Sequence, residues 1–339
     1  MKLLAVNFHY IEAGLSYPYP AIYPVEPERL EAQLQELGSC FDFVSGEQLL
    51  AALDGKALPS RACVITFDDG LRSQYENALP VLDRLGIPAL FFVCGRPLRD
   101  ARALNVHKIH FVRANISPAS MLQELETSLE ATGANEVERD SVQTRAQNTY
   151  RYDEPQAALV KWYLNFGLSR EAADQVVSGL FAKLVDDEAA WCERTYLSQD
   201  QIRELAARSY LGHHCFDHLP LAGLAQDAMR EQIFSNQQEL EAIGGRPVPF
   251  ISYPYGGEHA VGKREATTCA ELGLRIGFTM ERSLNTSLED PLLLARVDTN
   301  DALGGKQPMM DLRDGSLQIA DGLGARRKRY FDEPLETGV

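Results

Sequence analysis

A parallel α/β fold is what this sequence predicts, and three observations carry it. Apolar, partly β-branched runs alternate with segments of helical period through the first hundred residues. The same rhythm resumes near residue 197. The strand-like runs are also continuously apolar, as strands buried on both faces are. With 339 residues and a hydrophobic fraction of 45%, the chain can bury a sizeable core as one domain of this kind.

The elements follow in order. Leu3–Phe8 reads as a buried strand. Pro27 suits the first turn of a helix that presents Leu30, Leu34 and Leu37 on one face and closes at Gly38. Phe41–Val44 is a short strand and Gly46–Leu53 a helix. Ala62–Phe67 is a buried strand ending in Asp68-Asp69-Gly70, Tyr75–Leu85 is helical, and Pro88–Val93 is a further strand. From about Asp100 to Arg194 the chain is polar and helical in spacing, with candidate helices Met121–Ala131, Gln156–Phe166 and Ser169–Val185. This stretch, 100–195, is expected as a helical insertion within a single domain spanning 1–339. The alternation then returns: a helix after Ser198, a strand after Ala207, a helix Asp227–Ile243, a strand and exit loop over Pro247–Gly256, a helix Ala260–Leu272, and a strand Leu274–Met280. Residues 305–339, with Arg326-Arg327-Lys328-Arg329, read as an irregular tail whose basic run is a solvated face.

Bulk properties exclude several functions. A net charge of −15 disfavours nucleic acid or an anionic membrane as partner. No segment reaches the roughly 18 consecutive apolar residues of a membrane span. The N-terminal apolar run is broken by Asn7, His9 and Glu12, unlike a secretory leader, so a cytoplasmic location is expected. The 6 cysteines are scattered without a CxxC pair, which fits free thiols in a reducing compartment.

The chemistry concentrates at two strand exits. Asp68 and Asp69 repel one another, so a metal, a basic side chain or a raised pKa must offset them. His214 and His218, spaced H-x-x-x-H, are expected on one face of a helical turn, as two imidazoles presented to one ion. His213 competes as a ligand but, as an immediate neighbour, should point elsewhere. Two imidazoles and one carboxylate leave positions open for water, a hydrolytic rather than a structural arrangement. His107 and His110 have helical spacing without a nearby carboxylate and read as structural. Cys215 beside His214 hints at a thiol nucleophile, but that histidine is already engaged. Tyr17 and Tyr19 lie in a Pro/aromatic loop that reads as packing against its surroundings.

These residues resemble the polysaccharide deacetylases, the NodB-homology or carbohydrate esterase family 4 group. The motif T-F-D-D-G stands as Thr66-Phe67-Asp68-Asp69-Gly70. The motif H-[ST]-x-x-H-P stands as His214-Cys215-Phe216-Asp217-His218-Leu219, with a cysteine for the hydroxyl residue and Pro220 one step late. The motif R-x-P-Y-G stands as Ser252-Tyr253-Pro254-Tyr255-Gly256, without its arginine. The resemblance covers roughly 1–95 and 197–300. It implies a distorted (β/α)7-type barrel in which Asp69, His214 and His218 bind a metal, zinc or another divalent ion. It further implies Asp68 as general base, and an oxyanion and substrate contact from Tyr255, with Tyr253 and Pro254. The family's late L-H acid has no counterpart, and His9, in an early Y-H-like position (Asn7-Phe8-His9-Tyr10), is the expected general acid, with His259 the alternative. Arg296 is a candidate to orient Asp68 in place of the missing motif arginine, and contact between the two side chains is the test. The implied activity is removal of an N-acyl group, acetyl or formyl, from a small or medium amino sugar or sugar conjugate, in lipopolysaccharide or other cell-surface polysaccharide biosynthesis, with the insertion shaping the pocket. The alternatives are a C–N hydrolase of non-sugar linear or cyclic amides and a non-catalytic binding protein on the same fold.

Overall fold

The structure, a computed structural model, describes residues 2–131, 139–150, 153–313 and 316–319, and these divide into two compact units. One holds Met1–Ala13, Pro24–Arg102 and the chain from Cys192 on; the other holds Gly14–Tyr23 and Ala103–Trp191. Where a helical insertion within one domain is expected over 100–195, the chain thus forms a second compact unit. It also takes in Gly14–Tyr23, whose Tyr19 N–H donates to the Ala114 carbonyl at 3.1 Å.

The first unit is built on an eight-stranded sheet. Its strands are β1 (Lys2–Phe8), β2 (Asp42–Phe43), β3 (Arg61–Phe67), β4 (Ala89–Val93), β5 (Leu211–His213), β6 (Phe250–Ser252), β7 (Ile276–Phe278) and β8 (Val297–Asp298). They run in the order β7-β6-β5-β4-β3-β1-β8, with β2 paired to β3, and every pairing is parallel. Leu294 forms a parallel bridge with Phe278 of β7, just before Val297 of β8 pairs with Val6 of β1. One segment therefore ties the last strand to the first, and the ring is a distorted (β/α)7-type barrel.

Strand period two divides the core. Leu4, Val6, Phe8, Ile65, Phe67 and Phe91 face outward, where helices carrying Leu30, Leu34, Leu82 and Leu205 cover them. The alternate residues Leu3, Ala5, Val64, Phe92, Phe250 and Phe278 fill the barrel interior. The next inward positions, one step toward the strand exits, are polar: Asn7, Thr66, Ser252 and Arg296, all fully buried. Active sites of parallel barrels form at this end, and here an apolar plug gives way to a polar floor. The helices Gly46–Leu53 and Gln199–Ala207 start where their sequences cap them: Ser45 with Gln48, and Ser198 with Gln201, form reciprocal capping boxes.

The second unit is helical among its described residues. Helices Asn105–Asn115 and Arg170–Leu184 pack together, as do Pro118–Ala131 and Pro155–Trp162. Phe111, Phe181 and Trp191 meet edge-on, with ring centroids 5.2 to 5.9 Å apart. Within the expected irregular tail, Met310–Arg313 and Ser316–Ile319 pair as an antiparallel hairpin, β9 and β10, which corrects that expectation locally. The basic run 326–329 lies outside the described residues. No helix among the described residues is long and apolar enough to cross a membrane.

Candidate active site

The exit of β3 supplies the acidic half of the site. Strand period turns Asp68 onto the polar floor, and the chain then reverses through Asp69 (φ 80°) and Gly70 (φ 66°). A Cβ at position 70 would meet Val93 Cγ1 at 2.8 Å on a left-handed backbone, so the turn requires glycine. The Asp69 carboxylate meets the histidines: its Oδ1 is 3.4 Å from His214 Nε2 and 3.3 Å from His218 Nε2. Gln74, fully buried at the head of the π-helical turn Gln74–Ala78, donates through Nε2 to the carbonyls of His9 (3.0 Å) and Asp68 (2.5 Å). It thereby ties the exits of β1 and β3 together.

Asp68 is enclosed by donors. Arg296, the largest fully buried side chain among the described residues, gives it a two-pronged contact, Nη1 to Oδ1 at 2.8 Å and Nη2 to Oδ2 at 2.6 Å. Ser252 Oγ (3.1 Å) and Asn7 Nδ2 (3.2 Å) also donate to Oδ2. The two terminal nitrogens of the guanidinium also donate to the floor, to Asn7 Oδ1, Thr66 Oγ1 and Ser252 Oγ. Burial alone would raise the Asp68 pKa, but Arg296, His214 and His9 outweigh it and hold the carboxyl below its ordinary value.

At the exit of β5, strand period sends two adjacent histidines opposite ways. His213 faces outward with Nε2 2.9 Å from the Val248 carbonyl, and burial pushes its pKa down to about 4. His214 faces inward, with Nδ1 2.7 Å from the Ser252 carbonyl. That oxygen can only accept, so in the neutral ring the proton sits on Nδ1 and the Nε2 lone pair is offered to the Asp69 side. The expectation of a helical turn is corrected here. Residues 214–220 are a loop, with Cys215 at φ 58° and His218 at φ 56°, yet the two rings converge with centroids 4.9 Å apart. Left-handed backbone costs an L residue roughly 1–2 kcal/mol. Of the six non-glycine residues at positive φ among those described, Asp69, Cys215, His218 and Tyr255 belong to this site. Strain held in one place requires surroundings that enforce it, and it gathers where function needs a fixed geometry.

Asp69, His214 and His218 form the only metal-capable group of three among the described residues, all buried, with ligand atoms within 4.8 Å of one another. Burial would lower the His214 pKa, but Asp68 and Asp69 outweigh it and hold the ring above its ordinary value. The pocket holds two carboxylates and a single guanidinium, so it carries surplus negative charge. Two imidazoles and a carboxylate in that field fit a divalent ion such as zinc.

The other expected residues fall into place variously. His9 is half-buried at the exit of β1 and lies beside Asp68 in register, where the Asp68 N–H donates to the Phe8 carbonyl at 3.0 Å. His259 has a side chain 90% exposed and faces Glu258 at 3.7 Å. Tyr255 is 55% exposed, and its ring stands edge-on to His218 with centroids 4.9 Å apart. Pro254 is buried, and its carbonyl accepts from Gly256 N–H at 2.7 Å. Tyr253 is corrected. It points outward into an apolar cluster with Ile251 and Cys269, and its hydroxyl donates to the Leu292 carbonyl at 2.9 Å. Cys215 joins the same cluster, and burial pushes its thiol well above its ordinary pKa, which removes it as a nucleophile. His107 and His110, rings 6.1 Å apart, belong to no metal-capable group of three among the described residues. Asn7, Thr66, Ser252 and Gln74 are site residues that sequence reasoning missed. The available signal was polarity: each of the first three interrupts an apolar strand on its inward parity.

A family model described as polysaccharide deacetylase matches residues 55–160 and 179–276, more than half of the chain. The polysaccharide deacetylase relative YxkH of Bacillus subtilis (strain 168) is 30% identical over 99 residues, 29% of this chain and 33% of that protein. The match thus spans about a third of the relative's length. Among solved structures, the Streptococcus pyogenes deacetylase PplD in complex with acetate has a TM-score of 0.52 at 16% identity, covering 88% of this chain and 92% of that one. The BpsB deacetylase domain from Bordetella bronchiseptica has a TM-score of 0.53 at 16% identity, covering 88% and 95%. At such identities the likeness establishes the barrel and leaves the chemistry to the residues.

Proposed function

The chain belongs to the polysaccharide deacetylase family, and from that membership and the site geometry we propose that it hydrolyses an N-acyl group, acetyl or formyl, from an amino sugar or sugar conjugate. The observation that carries this reading is the unequal treatment of two adjacent carboxylates. Asp68 has its own buried guanidinium, whereas Asp69 faces two imidazoles in a pocket of surplus negative charge. Asp69, His214 and His218 would hold zinc or another divalent ion, which when bound supplies Lewis acidity and lowers the pKa of water from about 15.7 toward about 7.

The chain's own residues divide the remaining tasks. The Ser252 carbonyl fixes the His214 tautomer. Asp68 is the general base: Arg296 orients it and keeps it ionised, and its Oδ2 stands 4.0 Å from His214 Nε2, within reach of a water beside the triad. The backbone N–H at Tyr255 receives the negative charge that develops on the acyl oxygen. The exposed Tyr255 ring contacts the sugar. His9, next to Asp68, delivers a proton to the departing nitrogen, which would otherwise leave as a poor amine anion. Family membership and the enclosed triad support a sugar substrate in cell-surface polysaccharide biosynthesis.

The test is a metal and substrate survey of the purified chain. One equivalent of bound metal, loss of turnover on chelation, recovery with zinc or cobalt, and preference for N-acetyl or N-formyl amino sugars over simple amides is the expected outcome. Turnover of simple linear or cyclic amides alone would favour a non-sugar C–N hydrolase. No metal and no turnover after zinc or cobalt addition would favour a binding protein. A His9→Ala variant that binds zinc normally and turns over at the full rate would remove His9 as the acid.

A further inference from the structure

We infer that Asp217, clamped by Arg96 and Gln232, is a positioning residue that holds His218 in its ligating conformation; this rests on the reading of Asp69, His214 and His218 as a metal site. His218 adopts φ 56° on a loop without helical or strand hydrogen bonding, so its conformation must be imposed by neighbouring residues. Asp217, immediately before it, is held at both its backbone and its side chain. One amide makes two of the contacts: Gln232 Oε1 accepts from the Asp217 N–H at 2.9 Å while Gln232 Nε2 donates to Asp217 Oδ2 at 2.8 Å. The other carboxylate oxygen meets Arg96 Nε at 2.5 Å.

The preceding residue is fastened by the same two elements. The Phe216 N–H donates to the Gln232 carbonyl at 3.0 Å, and the Phe216 carbonyl accepts from Arg96 N–H at 3.1 Å. Arg99 lies over the Phe216 ring, 3.8 Å from its centroid, and a Cβ on Gly95 would come within 2.8 Å of that ring. The loop is therefore braced between the short helix Arg96–Asp100 after β4 and the long helix Gln226–Gly244. Position 215, where the resembled motif carries a hydroxyl, holds a cysteine buried among apolar side chains, and a thiol is a weak donor. The polar anchoring of this loop falls two residues later, on Asp217.

A merely structural role would lower stability and leave metal affinity alone, and the experiment separates the two. The full chain, stripped with a chelator, is titrated with zinc against a chromophoric competitor, and the melting temperature of the metal-free protein is measured in parallel. Outer contacts of this kind typically change metal affinity about 10- to 100-fold. Asp217→Ala is expected to weaken zinc by about that factor. Arg96→Ala, which removes a side chain 42% exposed, is expected to lose severalfold while keeping the metal-free melting temperature. The Arg96→Ala/Asp217→Ala pair should lose less than the sum of the single losses, because both break one contact. Should Asp217→Ala fail to fold, the Arg96→Ala and Gln232→Ala affinities decide. Wild-type zinc affinity in the folded clamp variants, while His218→Ala loses the metal, overturns the clamp and leaves the metal site standing. Absence of zinc binding by the wild-type chain overturns both.

Discussion

Two strand exits in this barrel each carry a pair of identical residues, and each pair is split. After β3, Asp68 meets the Arg296 guanidinium and Asp69 meets the imidazoles. At the end of β5, His213 turns outward to the Val248 carbonyl and His214 turns inward to the acids. Surroundings rather than residue type therefore set the charge. One aspartate is matched by a permanent cation of the protein, and the other faces two titratable imidazoles. One histidine is kept neutral by burial, and the other is drawn toward its charged form. Neighbours on a strand point to opposite faces, so a doubled residue is a way to serve two environments from one exit.

Changes that attack this division should differ in size and in kind. The largest effect is expected for Asp69→Ala, which should abolish stoichiometric metal binding and cut turnover on the order of a thousandfold or more. Metal content and the hydrolysis rate check this, and retention of a full equivalent of metal would refute the division. Next is Arg296→Met, which strands the Asp68 charge in the barrel. Breaking a buried pair costs about 3–5 kcal/mol, to be read from denaturant unfolding. Adding Asp68→Asn should recover much of that loss, and a double variant as unstable as the single would argue against charge as the cause.

The third prediction concerns the split histidines and pH. With a folded pKa of about 4 against 6.5 for the free side chain, His213 binds its proton less readily when folded than when unfolded. Its stabilising contribution is complete above pH 6.5 and is lost as pH falls through about 4. The total is roughly 3 kcal/mol, at 1.36 kcal/mol per pKa unit. Metal-free wild type and His213→Gln should therefore differ in the slope of stability between those pH values, and equal slopes would sink the assignment. The smallest effect belongs to Tyr253→Phe, which removes one buried hydrogen bond worth about 1 kcal/mol. Its melting temperature should fall slightly while kcat/KM stays unchanged. A large fall in kcat/KM would return Tyr253 to the substrate site.

Much of this was legible in the chain because burial writes itself into composition. Strands β1, β3 and β4 are long apolar runs, and the acids and histidines that matter stand at their ends or at equivalent exits. Arg296 could be suspected because an arginine ends the apolar run Leu292–Ala295. What stayed hidden depended on tertiary contact. The two residues of β8 carry too little pattern to read as a strand. The spacing of His214 and His218 suggests a helix because left-handed backbone at Cys215 and His218 is imposed from outside the loop. Tyr253 was readable in principle: parity along Phe250–Ser252 puts Ser252 inside and its neighbour outside. Gly14–Tyr23 joins the helical unit through contacts distant in sequence, for which composition offers no sign.

The segment that bridges β7 to β1 also carries Arg296. Until that bridge forms, Asp68 has Asn7 and Ser252 as donors but lacks the guanidinium that contacts both of its oxygens. Closing the ring and seating the Asp68 carboxylate on its guanidinium are consequently one event. A barrel stalled one strand short would leave a buried carboxylate without its ion-pair partner, so the last stitch of the sheet also completes the floor of the site.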